Sequence, residues 1–342
     1  AGFAILAYTV VYNHILRRHS PRKVLYATIL VFAVTLVGII GMISVKAAGS
    51  SIALYVWSDL MSVALTEQIW AMTHDRFSTT KKNWSYAFMG SGLVLGGVVS
   101  GSLTHMLAGP LGSAGLLWIT VGGLLALLVS SSFIPKITHA EAELNVHPIG
   151  ETRQALKDIF SSRYLRFFFF MVLLGQIVSN LIDLAYTQKV GELYATTEER
   201  TKFIGGFTAV LSSFSVAMLY LAAPIIYRVT NPLNALLILP LSNFAGSIFA
   251  LTGNGAFQWP TVFFTKLFDK GFNYSLQRAS KEMLYRRTSR NVKYRVKTVL
   301  DVFVYRVSEL VAGVLTIPVM KMLGMNGVWS LCIALTVVHV FV

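Results

Sequence analysis

Apolar residues along this chain come in long blocks, separated by short polar connections. Eleven blocks stand near residues 1–16, 25–47, 51–73, 86–108, 113–134, 164–188, 203–227, 232–252, 257–285, 295–320 and 326–342. Most approach or exceed the ~20 residues that a helix needs to cross ~30 Å of hydrocarbon. In that solvent each backbone N–H and C=O must be satisfied inside its own segment, so the blocks predict helices. The chain therefore reads as an all-α, polytopic membrane protein. Residue 1 and Val342 both lie inside apolar blocks, which predicts a chain cut at both ends.

The longest connection, residues 135–162, follows the fifth block and precedes the last six. It divides the chain into an N-terminal helical half (1–134), a linker (135–162) and a C-terminal helical half (163–342). Within the linker, "TRQALKDIF" has the pattern of a short amphipathic helix lying at the membrane interface. One further helix before residue 1 would give six plus six, with a cytosolic middle loop. That is the major facilitator-type fold, twelve helices in two halves around a central cavity, with eleven visible. A shift of 212 residues adds support. It lays "THDRFSTTKKNWSYAFMGSGLVLGGVVSG" over "YRRTSRNVKYRVKTVLDVFVYRVSELVAG", each a helix, a basic turn and a second helix.

Charge orients this layout. Charged residues make up 13% of the chain and hydrophobic residues 55%, with a formal net charge of +14. Soluble domains carry about 25% charge. Alternate connections differ sharply. One set holds 18 Lys and Arg residues, among them Arg17, Arg22, Arg76, Lys136, Arg228 and Arg286, against five in the other. By the positive-inside rule the first set faces the cytosol, so the positive charge points to membrane lipid rather than nucleic acid. The lone Cys332 excludes an internal disulfide. No Walker motif, metal cluster or catalytic triad is visible, so neither a cofactor nor an enzymatic activity is expected.

The candidate chemistry lies on block 257–285. Lys266, Lys270, Asn273, Gln277 and Lys281 recur at spacings of 4, 3, 4 and 4. On an α-helix all five fall within about 80°, one polar stripe. An unpaired ammonium against lipid costs at least ~2.5–3.5 kcal/mol, so the stripe faces either a partner helix or a watery cavity. Neutralisation by Asp269 and neighbouring helices is one reading, with Lys281 snorkelling to the cytosol. Recognition of an anionic ligand is the other, favoured by the excess of cations over anions.

Further intramembrane polar residues group similarly. Block 51–73 carries Asp59, Ser62, Thr66 and Trp70 on one face, with Glu67 beside it; block 164–188 carries Gln176, Asn180 and Asp183 on one face. Such carboxylates are functional candidates or helix–helix hydrogen-bonding groups. Lys297 with Asp301 (i, i+4) and Arg306 with Glu309 (i, i+3) read as ion pairs that clamp helices and release them during a transport cycle. Gly92, Gly96, Gly97 and Gly101 have the small-residue spacing of close helix packing.

Tyr274-Ser275-Leu276, Lys281-Glu282-Met283, Tyr285, Lys293, Lys297, Asp301-Val302 and Arg306 together resemble the ATP/ADP translocases. These are nucleotide transporters of obligate intracellular bacteria and plastids, related to the major facilitator superfamily. The resemblance implies twelve helices, nucleotide exchange by alternating access without hydrolysis, and a bacterial inner membrane or plastid envelope. It also implies that Lys281 holds nucleotide phosphates and that a carboxylate of block 51–73, with Glu67 the nearest match, joins the site. The sequence departs from the family pattern at "YRRTSR" and "QRAS". Transport of another small organic anion, and a non-transporting membrane anchor or sensor for a cytosolic domain, are the alternatives. The expected partners are the substrate and membrane lipids, with the protein a monomer.

Overall fold

The computed structural model describes residues 20–77, 84–133, 150–253, 257–285 and 304–341, together with Tyr8, Ile15, Val296, Val299 and Leu300. The described elements are helical throughout. They are α1 (Pro21–Ser44), α2 (Ser50–Phe77), α3 (Trp84–Ser131), α4 (Gly150–Ser161), α5 (Arg163–Leu193) and α6 (Thr197–Val229). Then follow α7 (Pro232–Thr252), α8 (Gln258–Phe272), a π-helical turn at Asn273–Gln277, α9 (Arg278–Tyr285) and α10 (Val304–Phe341). Lys297 and Asp301 lie outside the described residues, as does the side chain of Glu67.

Among the described residues, six stretches are long and apolar enough to cross a membrane: Arg22–Ser44, Val94–Ser131, Arg163–Leu193, Thr197–Val229, Asn234–Thr252 and Val304–Phe341. Two of these run to 38 residues. Straight, each would measure about 57 Å, nearly twice the ~30 Å hydrocarbon core. Each breaks instead at a glycine in the left-handed region, Gly112 (φ 68°) in α3 and Gly324 (φ 61°) in α10. Only glycine adopts that conformation without steric cost. In α10 the chain turns back sharply. A Cβ added to Gly327 would lie 2.9 Å from Val319 Cγ1, eight residues earlier and about 12 Å away on a straight helix. Each long stretch is thus a pair of crossings, matching the separate blocks seen in the sequence.

The chain forms two compact units. The first comprises Ala1–Gly90 and Thr104–His147, the second Ser91–Leu103 and Pro148–Val342. In the first, Leu25, Ile29, Phe32, Leu36 and Ile39 of α1 bury against Trp57, Ala64 and Leu65 of α2 and Leu124 of α3. Two side-chain hydrogen bonds tie polar groups inside this layer. Trp57 Nε1 donates to Thr35 Oγ1 at 2.9 Å, and the buried Gln68 amide donates to Thr28 Oγ1 at 2.9 Å.

The second unit has two apolar clusters. One gathers Ile177, Val178, Leu181 and Ile182 of α5 with Phe207 of α6, Val262 and Leu267 of α8, and Trp329 of α10. The other gathers Leu165, Phe168 and Val172 of α5 with Leu236, Leu284, Val304 and the α4 residues Ala155 and Ile159. The linker stretch contributes a helix, α4, to this second cluster. Ala155 and Ile159, its fully buried pair, are covered by protein.

The glycine pattern also resolves. A Cβ at Gly97 would fall 2.3 Å from Ser212 Oγ, and one at Gly101 would fall 2.6 Å from the backbone nitrogen of Ala209. These two glycines let α3 approach α6 closely. Gly92 and Gly96 meet nothing within 4 Å.

Candidate functional site

The site is a polar seam where α5 lies along α8, the π turn and α9. On α5, Gln176, Ser179, Asn180 and Asp183 recur at i, i+3, i+4 and i+7, one face of the helix. The opposite face is the apolar row already described. The seam therefore follows from the same periodicity that builds the core.

Its upper part is a closed set of charges. Lys266 Nζ forms an ion pair with Asp183 Oδ1 and lies 5.5 Å from the centroid of the Tyr186 ring. Lys270 Nζ pairs with Asp183 Oδ2 at 2.9 Å, donates to Ser179 Oγ at 2.7 Å, and stands 3.9 Å from Asp269 Oδ2. Asp269 has no exposed surface. Its Oδ2 accepts from Ser179 Oγ at 2.6 Å and its Oδ1 accepts from Asn243 Nδ2 of α7 at 2.8 Å. Two ammonium groups thus meet two carboxylates. Removing one partner of such a buried set costs about 3–5 kcal/mol, because a charge is left uncompensated.

The lower part is a cleft. It is lined by Val172, Gly175 and Gln176 of α5, Leu239 of α7, Asn273 and Gln277 of the π turn, and Lys281 of α9. The π turn adds one residue to the helical repeat, which rotates Lys281 by about 100° around the axis. Lys281 stays on the α5 side, so the stripe survives the distortion. A tyrosine at each end of α9 fixes the segment. Tyr227 of α6 donates to the Leu276 carbonyl at 2.9 Å and lies 2.8 Å from Ser280 Oγ. Tyr164 of α5 donates to the Leu284 carbonyl at 3.1 Å. At Gly175 an added Cβ would sit 3.0 Å from the buried His339 ring, so this glycine lets α10 close against the cleft wall.

One atom in the cleft is conspicuous. Gln277 is 5% exposed, and its Oε1 has no hydrogen-bond partner. A buried acceptor left unsatisfied costs about 1–3 kcal/mol, and native structures keep few of them. A ligand that presents a donor beside Lys281 would satisfy it.

A second π turn, Met218–Ala222 in α6, packs against the first. Its cause is local. Pro224 has no N–H and its ring crowds the carbonyl four residues back, so the helix widens before it.

The structure thus brings Lys266, Lys270, Asn273, Gln277, Lys281 and Asp183 to one seam. Asp59 lies half-buried on α2 in the first unit. Arg306 and Glu309 form an ion pair at 2.8 Å within one turn of α10. Asn180 donates to Ser308 Oγ at 3.3 Å, tying α10 to α5. Ser179, Asn243 and Tyr227 were not singled out in the sequence. Ser179 stands four residues before Asp183, a usable signal. Asn243 is one polar side chain in an apolar helix, and Tyr227 gives no local signal. Among the described residues, no group of three or more His, Cys, Asp or Glu side chains is placed to hold a metal ion.

Comparison with known proteins places this architecture. The crystal structure of the nucleoside transporter NupG superposes with a TM-score of 0.67 at 13% identity, covering 99% of this chain and 86% of that one. A mutant form of the same transporter gives 0.69 at 14% identity, covering 99% and 88%. The chain shares the all-helical, major facilitator-type fold of that transporter. "ADP,ATP carrier protein 1" of Rickettsia prowazekii (strain Madrid E) is 26% identical over 167 residues, covering 44% of this chain. The match spans about a third (33%) of that carrier's length. The family model described as TLC ATP/ADP transporter matches residues 126–342. With more than half of its length matched, the chain, an integral multi-pass membrane protein, belongs to the TLC ATP/ADP transporter family.

Proposed function

We propose that this protein moves adenine nucleotides across a membrane by exchange and alternating access, leaving the phosphate bonds intact. The observation that carries this reading is the cleft below the neutral charge cluster. It combines the Lys281 ammonium, the Gln176 and Asn273 amides and the unsatisfied Gln277 carbonyl on membrane-embedded helices. A lysine is a compact point charge suited to phosphate oxygens. The amides offer both donors and acceptors to a base or ribose. Family membership and the similarity to a protein named as an ADP,ATP carrier support the substrate class. By the same reasoning the protein works in a bacterial inner membrane, and Arg306 with Glu309 belongs to its gating machinery.

The test is uptake of labelled ATP into proteoliposomes loaded with ADP, with ATP or with buffer alone. Counterload-dependent uptake that Lys281→Ala abolishes is expected. Equal uptake with and without internal nucleotide would remove exchange. Absence of adenine nucleotide uptake under every load would overturn the reading.

A further inference from the structure

The two carboxylates of the upper seam are held in different ways. Both oxygens of Asp269 accept hydrogen bonds from neutral side chains, Ser179 and Asn243, and the group has no exposed surface. It is a fixed counter-ion built into the packing. Asp183 differs on each count. Its side chain is 34% exposed, and among the described residues its carboxylate is held by the Lys266 and Lys270 ammonium groups alone. Those lysines are 12% and 9% exposed in their side chains. Asp183 is therefore an anion seated on a paired cationic station, with an open side and no other tether. A dianionic phosphate matches that station better than one carboxylate does, because it offers more charge and three acceptor oxygens.

We infer that Lys266 and Lys270 form a second phosphate station, which Asp183 occupies as an internal substitute when no substrate phosphate is there. This rests on the anion-transport reading of the seam and adds a site to it. Lys270 and Lys281 are eleven residues apart, about 16 Å along the helix axis. The two stations are thus distinct, linked by Asn273 and Gln277. A polyphosphate leaving Lys281 meets the lysine pair about three to four turns along the same seam. Asp183, together with the fixed Asp269, keeps the pair neutral while the station is empty, avoiding the cost of bare ammonium groups in the membrane. Asp269 keeps Lys270 in place after Asp183 has been displaced.

Inorganic pyrophosphate is the probe, because it is too short to bridge the two stations. Binding is measured on the full chain in detergent, for the wild type, Asp183→Asn, Asp183→Asn/Lys281→Ala and Asp183→Asn/Lys270→Gln. Removing the competing carboxylate should tighten pyrophosphate binding by roughly tenfold, the scale of one charge-assisted hydrogen bond. The gain should persist when Lys281→Ala is added and vanish with Lys270→Gln. Pyrophosphate should also raise the thermal stability of Asp183→Asn more than that of the wild type. Unchanged affinity in Asp183→Asn overturns the inference. So does a gain that depends on Lys281, or an Asp183→Asn protein that stays unstable with and without pyrophosphate. The nucleotide reading itself is judged separately, by whether Lys281→Ala weakens ATP binding in the wild-type background.

Discussion

The upper and lower parts of the seam share the polar face of α5 and each presents lysine to it, yet they differ in the side chains that surround those lysines. Above, Lys266 and Lys270 meet Asp183 and Asp269, and each Asp269 oxygen has a donor. Below, Lys281 stands in a cleft beside an amide whose carbonyl oxygen is unsatisfied. A lysine inside a membrane protein does not by itself mark a ligand site. What distinguishes the two regions is the company the lysines keep: two carboxylates in ion-pair contact above, and the side-chain amides of a cleft, one of them with an unsatisfied carbonyl oxygen, below.

The largest expected break in this comparison is at Asp269. Asp269→Ala leaves Ser179 and Asn243 without their acceptor and Lys270 without its fixed counter-ion. The folded state should lose about 3–5 kcal/mol, read as a large fall in unfolding temperature in detergent. Wild-type stability would show that the upper cluster is not a structural unit. A smaller effect is expected at Tyr227→Phe. The change removes a hydroxyl shared between the Leu276 carbonyl and Ser280, at a cost of about 1 kcal/mol. Nucleotide affinity should fall with it as the π turn loosens; an unchanged affinity would separate the turn from the cleft. The smallest effect on stability is expected at Gln277→Leu. Replacing a buried amide whose carbonyl oxygen is unsatisfied by an apolar side chain of similar size is near neutral for folding. Binding should nevertheless weaken several-fold, about 1 kcal/mol, as measured by nucleotide titration. Loss of stability with unchanged binding would reverse the assignment.

Much of the fold was legible in the sequence because its rules are local. The breaks at Gly112 and Gly324 fall between blocks that "LAGPLGSAG" and "LGMNG" already separate. The lysine stripe and the Gln176–Asn180–Asp183 row follow from helical spacing alone. Compensation of the stripe was legible only as an alternative, because Asp183 and Lys266 are 83 residues apart and spacing says nothing about which helices adjoin. Asn243 illustrates the limit. Nothing in "PLSNFAG" tells that its amide closes on Asp269. The π turn at Asn273–Gln277 contains no proline, in contrast to the turn before Pro224. Its tyrosine brace comes from a helix about 50 residues earlier. The four glycines of α3 share one spacing, yet only Gly97 and Gly101 are used for close approach, a choice made by the position of α6.

The central claim is that the lower part of the seam holds a nucleotide through its phosphates. It is tested most directly by binding of ATP and of adenosine to purified wild type, Lys281→Ala and Lys281→Arg, at matched folding. Loss of a charge-assisted hydrogen bond, about 1.5–3 kcal/mol, predicts that Lys281→Ala weakens ATP binding by roughly tenfold or more and leaves adenosine binding nearly unchanged. Lys281→Arg should recover part of the loss, because charge is retained while a compact ammonium becomes a planar fork. Equal ATP affinities for wild type and Lys281→Ala, or equal losses for ATP and adenosine, would contradict the account.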